Sequence, residues 1–258
     1  MIYLTGSSGM IGRRFRELYE KDITTISYRE KVYDVFKSHK DSCLIHLAWS
    51  STTRDDDGLK GKYDIFNSQE LFKYYIEKNP NGKIIFVSTA GDMHLSREGM
   101  FASGPENPNP RTLYGKSKLH VEQVLDTLKC KTVVLRTTNI WGGEVKKDRV
   151  NGLVDKLLNA VNTDKVVEIY ANLETCVDLI HIDDFINLLI KVIDTDLCQQ
   201  HEMFLVGGQS ISISDIINKV SKRGSLSLKI DQKAEKSFIK VKPYKAEKVF
   251  DWKREHTL

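Results

Sequence analysis

The chain begins with an apolar run that leads into three glycines, Ile2-Tyr3-Leu4-Thr5 and then Gly6-Ser7-Ser8-Gly9-Met10-Ile11-Gly12. After the glycines, apolar residues recur at helical spacing, at Ile11, Phe15, Leu18 and Tyr19. A strand that turns through glycines into a helix brings backbone N–H groups and the positive helix end together, which suits a pyrophosphate. A side chain at Gly6 or Gly9 would hold the phosphates away, and one at Gly12 would push the helix off the strand. The alternative is a glycine-rich turn without a ligand.

Length and composition exclude several classes of protein. A chain of 258 residues can build one large α/β unit or a domain with a smaller partner. No apolar run reaches about 18 residues, and Met1 directly precedes the first strand, so we expect neither a membrane span nor a signal peptide. The four cysteines lie far apart, which predicts no disulfide framework, no metal site and reduced thiols in the cytoplasm. The net charge of +4 is modest, and its basic excess lies in residues 219–258, which indicates a solvated face or, alternatively, attraction of a phosphorylated substrate. Aromatic residues are not interleaved there as single-stranded nucleic acid would require, so we expect no nucleic-acid partner.

Strand-like and helix-like segments alternate along the first half of the chain. A strand is predicted at residues 23–27, buried strands at residues 43–49, 83–88 and 132–136, and helices at about 63–78 and 113–128. This alternation predicts an α/β fold with a parallel, right-handed, doubly wound sheet of the Rossmann type. Ligands of such sheets bind at the carboxyl ends of the strands.

Candidate catalytic residues lie at these strand ends. Thr89 closes one predicted strand, and Tyr114 and Lys118 lie one turn apart on the helix that follows the next loop. A tyrosine is a poor base at neutral pH, and a cation one turn away would lower its pKa by roughly 1–3 units in a partly dry site. Thr89 could donate a hydrogen bond to the same substrate oxygen. A packed ring beside a solvated amine is the alternative interpretation of this pair.

Several motifs occur together in an order that is typical of one enzyme family. They are Thr5-Gly6-Ser7-Ser8-Gly9-Met10-Ile11-Gly12, His46-Leu47-Ala48, Val87-Ser88-Thr89, Tyr114-Gly115-Lys116-Ser117-Lys118, Leu135-Arg136-Thr137-Thr138-Asn139-Ile140-Trp141-Gly142 and Asp178-Leu179-Ile180-His181-Ile182-Asp183-Asp184. In this order the chain resembles the extended short-chain dehydrogenases/reductases, in the branch of nucleotide-sugar epimerases, dehydratases and ketoreductases. The similarity extends over nearly the whole chain.

The resemblance implies an enzyme that uses NAD or NADP. It makes Tyr114 the general acid/base, Lys118 the residue that holds the nicotinamide ribose and tunes Tyr114, and Thr89 a ligand of the reacting oxygen. Asn139 would reach the substrate together with Thr89 and Tyr114. The implied cofactor-binding residues are Gly6, Ser8, Gly9, Met10, Ile11, Gly12, Arg29, Leu47, Ala48, Tyr114 and Lys118.

The resemblance also implies a domain organisation and an assembly. Residues 1–142 would form the NAD(P)-binding Rossmann domain, to which a helix near residues 183–194 returns, and residues 143–258 a smaller, interleaved substrate-binding part. Relatives pair the two helices at about 63–78 and 113–128 across a two-fold axis, so we expect a homodimer. The first of these helices carries apolar residues beyond one stripe, including Phe66, Phe72, Tyr74 and Tyr75.

Three positions depart from the family pattern. Ser27 stands where an acid would bind the ribose of NAD, and Arg29 lies two residues further on. Arg29, like Arg13 or Arg14, could bind the 2′-phosphate of NADP or could equally be a surface charge, so NADP is only slightly favoured. Ala90-Gly91 replaces the acid pair that dehydratases need after the threonine, so dehydration is disfavoured. Val177 replaces the arginine that grips the substrate's phosphates, so phosphate binding would come from elsewhere, for example Lys146, Lys147 or Arg149.

Three hypotheses for the function remain open. The first is an NAD(P)-dependent epimerase or ketoreductase that transfers a hydride at a ring carbon of a nucleotide-activated sugar, commonly C4, in surface polysaccharide or glycoside biosynthesis. The second is a reductase or dehydrogenase of a non-nucleotide ketone or alcohol, and the third is a non-catalytic protein that senses a cofactor. His46 and His181 lie in apolar strands and are interpreted as core residues.

Overall fold

The computed structural model describes residues 1–27, 34–94, 102, 107–143, 152–231 and 235–258. Its strands are β1 (Ile2–Thr5), β2 (Ile23–Ile26), β3 (Cys43–His46), β4 (Lys83–Thr89), β5 (Lys131–Thr137), β6 (Asn139–Trp141), β7 (Val166–Tyr170), β8 (Cys176–His181), β9 (His201–Val206), β10 (Gln209–Ser212) and β11 (Ser227–Asp231). Its helices are α1 (Met10–Leu18), α2 (Leu59–Lys78), α3 (Leu113–Asp126), α4 (Leu153–Ala160), α5 (Ile182–Asp194), α6 (Ile213–Ser221) and α7 (Tyr244–Phe250).

The main sheet has six parallel strands in the order β2-β1-β3-β4-β5-β9. The chain runs from β1 outward to β2 and then crosses over to β3 on the other side of β1. The point where the direction of winding changes therefore lies between β1 and β3, and in open α/β sheets this is where ligands bind. The predicted Rossmann-like, doubly wound parallel sheet is confirmed.

Helices cover both faces of the main sheet, because the side chains of a strand alternate between its faces. Ile2 and Leu4 of β1 pack with α1 and α5 in one apolar core, whereas Tyr3 packs with α2 and α3 in the other. Phe72 and Tyr75 belong to this second core and are 1% and 0% exposed, so they take no part in the outer surface of α2 that the sequence suggested.

The described residues also form two smaller sheets, whose strands are interleaved in sequence with the last strand of the main sheet. Strands β10, β8 and β6 form a three-stranded sheet, and β11 pairs with β7. A third apolar core lies among these strands, α4 and α6. Within the described ranges, no helix is long and apolar enough to cross a lipid bilayer.

Candidate active site

The glycine-rich turn lies at the carboxyl end of β1, beside the loop that follows β3. Gly6 has a positive φ of 70°, and a Cβ atom on it would lie 2.7 Å from the backbone N of Ala48. A Cβ on Gly12 would lie 2.3 Å from the carbonyl oxygen of Gly6. Glycine is therefore required at both positions by the packing of the chain itself, and the prediction for Gly12 and its helix agrees with this geometry.

Gly9 has a different environment. A Cβ on Gly9 would meet a single atom within 4 Å, the carbonyl oxygen of Gly6 at 3.2 Å, and is otherwise surrounded by open space. Gly9 is the N-cap of α1, and the first turn of the helix carries no acidic residue. The positive end of α1 thus faces an open region beside Gly9, which fits the pyrophosphate of a dinucleotide.

The three arginines considered for a 2′-phosphate differ in their surroundings. Arg14 donates to both carboxylate oxygens of Asp183, at 2.6 and 3.1 Å, so its guanidinium is held against α5. Arg13 Nη1 donates to the carbonyl oxygen of Ser8 in the glycine-rich turn, at 2.7 Å. Arg29 lies outside the described residues. Arg14 is therefore a poor candidate, and the choice between NAD and NADP stays a prediction.

Tyr114 and Lys118 lie on the first two turns of α3, against the carboxyl end of β4. Lys118 is 4% exposed, and its Nζ donates to the carbonyl oxygen of Val87 at 2.8 Å. The same Nζ lies 5.8 Å from the centroid of the half-buried Tyr114 ring. α3 begins at this place because Thr112 caps it, accepting a hydrogen bond from the backbone N of Gly115 at 3.1 Å.

The pKa values of this pair differ from the sequence-based expectation. Burial raises the pKa of Tyr114 to about 12, and the carboxylates of Asp92 and Asp64 add to the effect. Burial lowers the pKa of Lys118 to about 7, although Asp64 and Glu122 oppose that shift. The expected lowering of the Tyr114 pKa is therefore absent, because burial disfavours the charged phenolate. At rest, Tyr114 is a neutral phenol, able to donate a proton.

Thr89 ends β4 and contacts the loop before α3. Its Oγ1 accepts a long hydrogen bond of 3.4 Å from the backbone N of Asp92. Asp92 Oδ2 in turn lies 3.4 Å from the backbone N of Thr112 and against Gly115, where a Cβ would overlap it at 1.6 Å. Asp92 thus links the end of β4 to the start of α3. Asp92 was not predicted as a site residue, and its position three residues after Thr89 was the available signal.

Comparison with known proteins identifies the family. A family model described as the NAD dependent epimerase/dehydratase family matches residues 2–207. The chain belongs to the NAD dependent epimerase/dehydratase family. The resemblance noted from the motifs is confirmed, as is the expectation of an enzyme of the NAD(P)-dependent, extended short-chain dehydrogenase/reductase type.

One curated relative is similar in sequence to this chain, and solved structures share its fold. The dTDP-4-dehydro-6-deoxyglucose reductase of Escherichia coli is 23% identical over 260 residues, covering 85% of this chain and 80% of the relative. MoeE5, solved in complex with UDP-glucose and NAD, has a TM-score of 0.84 at 16% identity, covering 100% of this chain and 94% of that one. RMD from Pseudomonas aeruginosa, complexed with NADPH, has a TM-score of 0.81 at 17% identity, covering 99% and 94%.

Ala90 and Val177 are two positions at which the chain departs from the family pattern, and both lie at strand ends and are at least half-buried. Ala90 is 0% exposed and belongs to a small apolar cluster with Leu205, Ile239 and Val241. Val177 is half-buried in β8, where it pairs with Ile211 of β10. Lys146, Lys147 and Arg149, the suggested replacements for the family arginine, lie outside the described residues.

Asn139 lies at the start of β6 and is exposed. Its Nδ2 donates to the carbonyl oxygen of Asp178 at 3.2 Å. Asp178 is fully buried and accepts hydrogen bonds from Thr138 Oγ1 at 3.0 Å, the backbone N of Gly208 at 2.7 Å and the backbone N of Val241 at 3.0 Å. Asp178 therefore holds three segments of the chain around Asn139.

An aromatic cage around Lys118 was not predicted. Lys118 Nζ lies 3.9 Å from the ring centroid of Trp49 and 4.7 Å from that of Phe86. Trp49 Nε1 donates to Ser51 Oγ at 2.7 Å, which fixes the indole in the loop after β3. Trp49 was predicted only as the end of a strand, and no spacing rule connects it to α3.

Proposed function

We propose that the protein is an NAD(P)-dependent epimerase or reductase of a nucleotide-activated sugar. The observation that carries this proposal is the position of Tyr114 and Lys118 on one face of α3, against the end of β4. Family membership and the dinucleotide-compatible turn at Gly6, Gly9 and Gly12 support it.

Tyr114 is the proposed acid/base catalyst. As a neutral phenol it gives its proton to the oxygen of a ketone at a ring carbon of the sugar, taken here as C4, and in the reverse direction it takes the hydroxyl proton. Thr89 donates a hydrogen bond to the same oxygen. Lys118 holds the nicotinamide ribose and its charge stabilises the phenolate that remains after proton donation.

The glycine-rich turn and the loop after β3 are the proposed cofactor site. Ser8, Met10 and Ile11 with the three glycines hold the pyrophosphate, and Leu47 and Ala48 contact the cofactor from the neighbouring strand. The nicotinamide, when bound, supplies the hydride chemistry. NADP is slightly favoured, because Ser27 replaces an acid and Arg29 follows it.

The substrate, the assembly and the location complete the proposal. A nucleotide sugar reaches Thr89, Tyr114 and Asn139 from a substrate-binding part formed by residues 143–258, while residues 1–142 bind the cofactor. The enzyme works as a homodimer in the cytoplasm, in surface polysaccharide or glycoside biosynthesis. Val177 supports a second candidate, a reductase of a non-nucleotide ketone, because the family arginine for the substrate's phosphates is absent there.

Two measurements test the proposal. Mass spectrometry of any nucleotide released from the purified protein shows whether a nicotinamide cofactor stays bound, as expected for an epimerase, and absorbance near 340 nm shows whether it is in the reduced form. Oxidation of NADPH or NADH in the presence of dTDP-4-dehydro-6-deoxyglucose then tests ketone reduction on a sugar nucleotide, chosen because a relative is named for it. Failure to bind either dinucleotide would overturn the proposal.

A further inference from the structure

Three buried side chains connect β1, β3 and α2 beneath the glycine-rich turn. Thr5 Oγ1 lies 2.8 Å from His46 Nδ1, and His46 Nε2 lies 2.9 Å from Ser68 Oγ. Thr5, His46 and Ser68 are 0%, 1% and 0% exposed. Bulk water does not compete for these groups, so the direction of each hydrogen bond follows from their chemistry.

The far end of the connection determines where its protons lie. Ser68 Oγ is 2.6 Å from the carbonyl oxygen of Asp64, and because a carbonyl can only accept, Ser68 donates its proton there. Ser68 Oγ must then accept from His46 Nε2, which therefore carries the ring proton. His46 Nδ1 is left as an acceptor for the Thr5 hydroxyl. Burial lowers the pKa of His46 to about 3, so the ring stays neutral at physiological pH.

The other side of Thr5 faces the proposed cofactor site. The Thr5 hydroxyl donates its hydrogen bond to His46, and its oxygen accepts from the backbone N of Leu47 and from that of Ala48, both at 3.1 Å. The same backbone passes directly over Gly6, where a Cβ would lie 2.7 Å from Ala48 N. Thr5 therefore holds the loop after β3 against the glycine-rich turn.

Helix α2 contacts the same loop at a second point. Asp64, one turn before Ser68, accepts from the backbone N and the hydroxyl of Ser50 at 2.9 and 2.8 Å, and from the backbone N of Ser51 at 2.9 Å. The loop from Leu47 to Ser51 is thus held from β1 and from α2, and His46 joins the two.

We propose that His46 is a positioning residue of the dinucleotide site: as an Nε2–H imidazole held by Ser68, it orients the Thr5 hydroxyl so that the Leu47–Ala48 backbone stays against the glycine-rich turn. That the ligand of this site is a dinucleotide rests on the proposed function, whereas the hydrogen bonds of Thr5, His46 and Ser68 do not depend on it. If Nδ1 no longer accepts, the Thr5 hydroxyl proton rotates towards one of the two positions from which the oxygen accepts the Leu47 and Ala48 amides, and this weakens the hold on the loop.

Two substitutions of His46 separate this role from packing. In His46→Asn the amide oxygen stands near the place of Nδ1 and still accepts from Thr5, whereas in His46→Gln the longer amide reaches Ser68 and leaves Thr5 without an acceptor. Both remove the buried ring. Calorimetric titration of NAD(H) and NADP(H) should show binding about tenfold weaker for His46→Gln and within about threefold of wild type for His46→Asn.

A matched control removes a similar bond far from the site. Thr132 Oγ1 lies 2.6 Å from His201 Nδ1, where β5 and β9 begin, at the opposite end of the sheet. Thr132→Val should lower the melting temperature without changing dinucleotide affinity. If His46→Gln behaves like this control, with wild-type affinity and a lower melting temperature, His46 has a packing role only and the inference is wrong.

Hydrogen exchange tests the inference without a ligand. In the cofactor-free protein, the Leu47 and Ala48 amides should exchange at least about tenfold faster in His46→Gln than in His46→Asn. Equal exchange overturns the inference even if dinucleotides bind. Failure of wild type to bind either dinucleotide overturns the proposed function instead. If His46→Gln does not fold, Ser68→Ala replaces it, with faster exchange at the same two amides expected and unchanged exchange contradicting the inference.

Discussion

Lys118 Nζ lies 3.9 Å from the ring centroid of Trp49, so the cation of the proposed active site is covered by an aromatic face. The ring attracts the ammonium, but it also keeps water away from it. Together with Phe86 and the rest of the core, this shielding lowers the pKa of Lys118 from its ordinary 10.5 to about 7. Keeping Lys118 charged in this place therefore lowers the stability of the folded protein.

We expect Lys118→Met to stabilise the protein while removing its activity. Between pH 7 and 10.5 the unfolded state binds more protons at Lys118 than the folded state, so the wild-type free energy of unfolding should rise with pH over this range. At pH 7 the free energy of unfolding of Lys118→Met should exceed that of wild type by about 1–3 kcal/mol. Its free energy of unfolding should also lack the rise with pH that Lys118 contributes in wild type. Urea denaturation at pH 7 and pH 9 measures both, with the exposed Lys116→Met as control. A variant less stable than wild type at both pH values would contradict the expectation.

Tyr114→Phe tests the proton donor. The variant should fold and bind cofactor normally but turn over about 10²–10⁴-fold more slowly, because it cannot donate or accept a proton. Tyr170→Phe is the control, since Tyr170 is 63% exposed on β7. Steady-state turnover with NADPH or NADH and a ketone substrate compares the two. Wild-type turnover in Tyr114→Phe would remove Tyr114 from the mechanism.

Arg29→Ala tests the cofactor preference. Without an acid at Ser27 the adenosine end should not repel a 2′-phosphate, whereas a carboxylate at about 4 Å would oppose it by several kcal/mol at an intermediate dielectric. NADP(H) should bind at least as tightly as NAD(H), and Arg29→Ala should weaken NADP(H) selectively. Arg14→Ala is the comparison, because Asp183 already holds Arg14. If Arg29→Ala weakens both cofactors equally in calorimetric titrations, the 2′-phosphate assignment fails.

Much of the fold could be predicted because its signals are local. The glycines at 6, 9 and 12 and the apolar strand 83–88 mark a βα unit and a doubly covered parallel strand, and both occur in the structure. Helix α2 begins at Leu59, earlier than predicted, because Gly58 at φ 68° forms the turn that starts it. A lone glycine in a polar loop is a weak signal of a helix start.

The site was less predictable because its properties depend on packing between distant segments. The i, i+4 spacing placed Tyr114 and Lys118 on one face, but it contained no measure of how deeply α3 buries them, so the direction of the Tyr114 pKa shift was wrong. The interpretation of His46 as a core residue is confirmed by its 1% exposure. Its partners Thr5 and Ser68 lie 41 and 22 residues away, beyond any local pattern.

The last prediction concerns assembly. The outer face of α2 exposes large apolar side chains at helical spacing, Leu59 at 54%, Tyr63 at 66% and Phe66 at 60%, and Leu113 of α3 is 40% exposed beside them. Gly61 brings the two helices close, since a Cβ on it would lie 3.2 Å from Ser117 Cβ. A self-complementary contact of two such faces would bury this surface in a homodimer.

Substitution of Phe66 by Glu should disrupt this assembly. A charge at the centre of an apolar contact costs several kcal/mol, so Phe66→Glu should shift a micromolar sample from dimer to monomer, by light scattering, while the fold is kept because Phe66 is largely outside the core. Val249→Glu, at a residue 42% exposed on α7, is the control and should remain dimeric. A monomeric wild type would contradict the assembly outright, and a dimeric Phe66→Glu would place the contact on another surface.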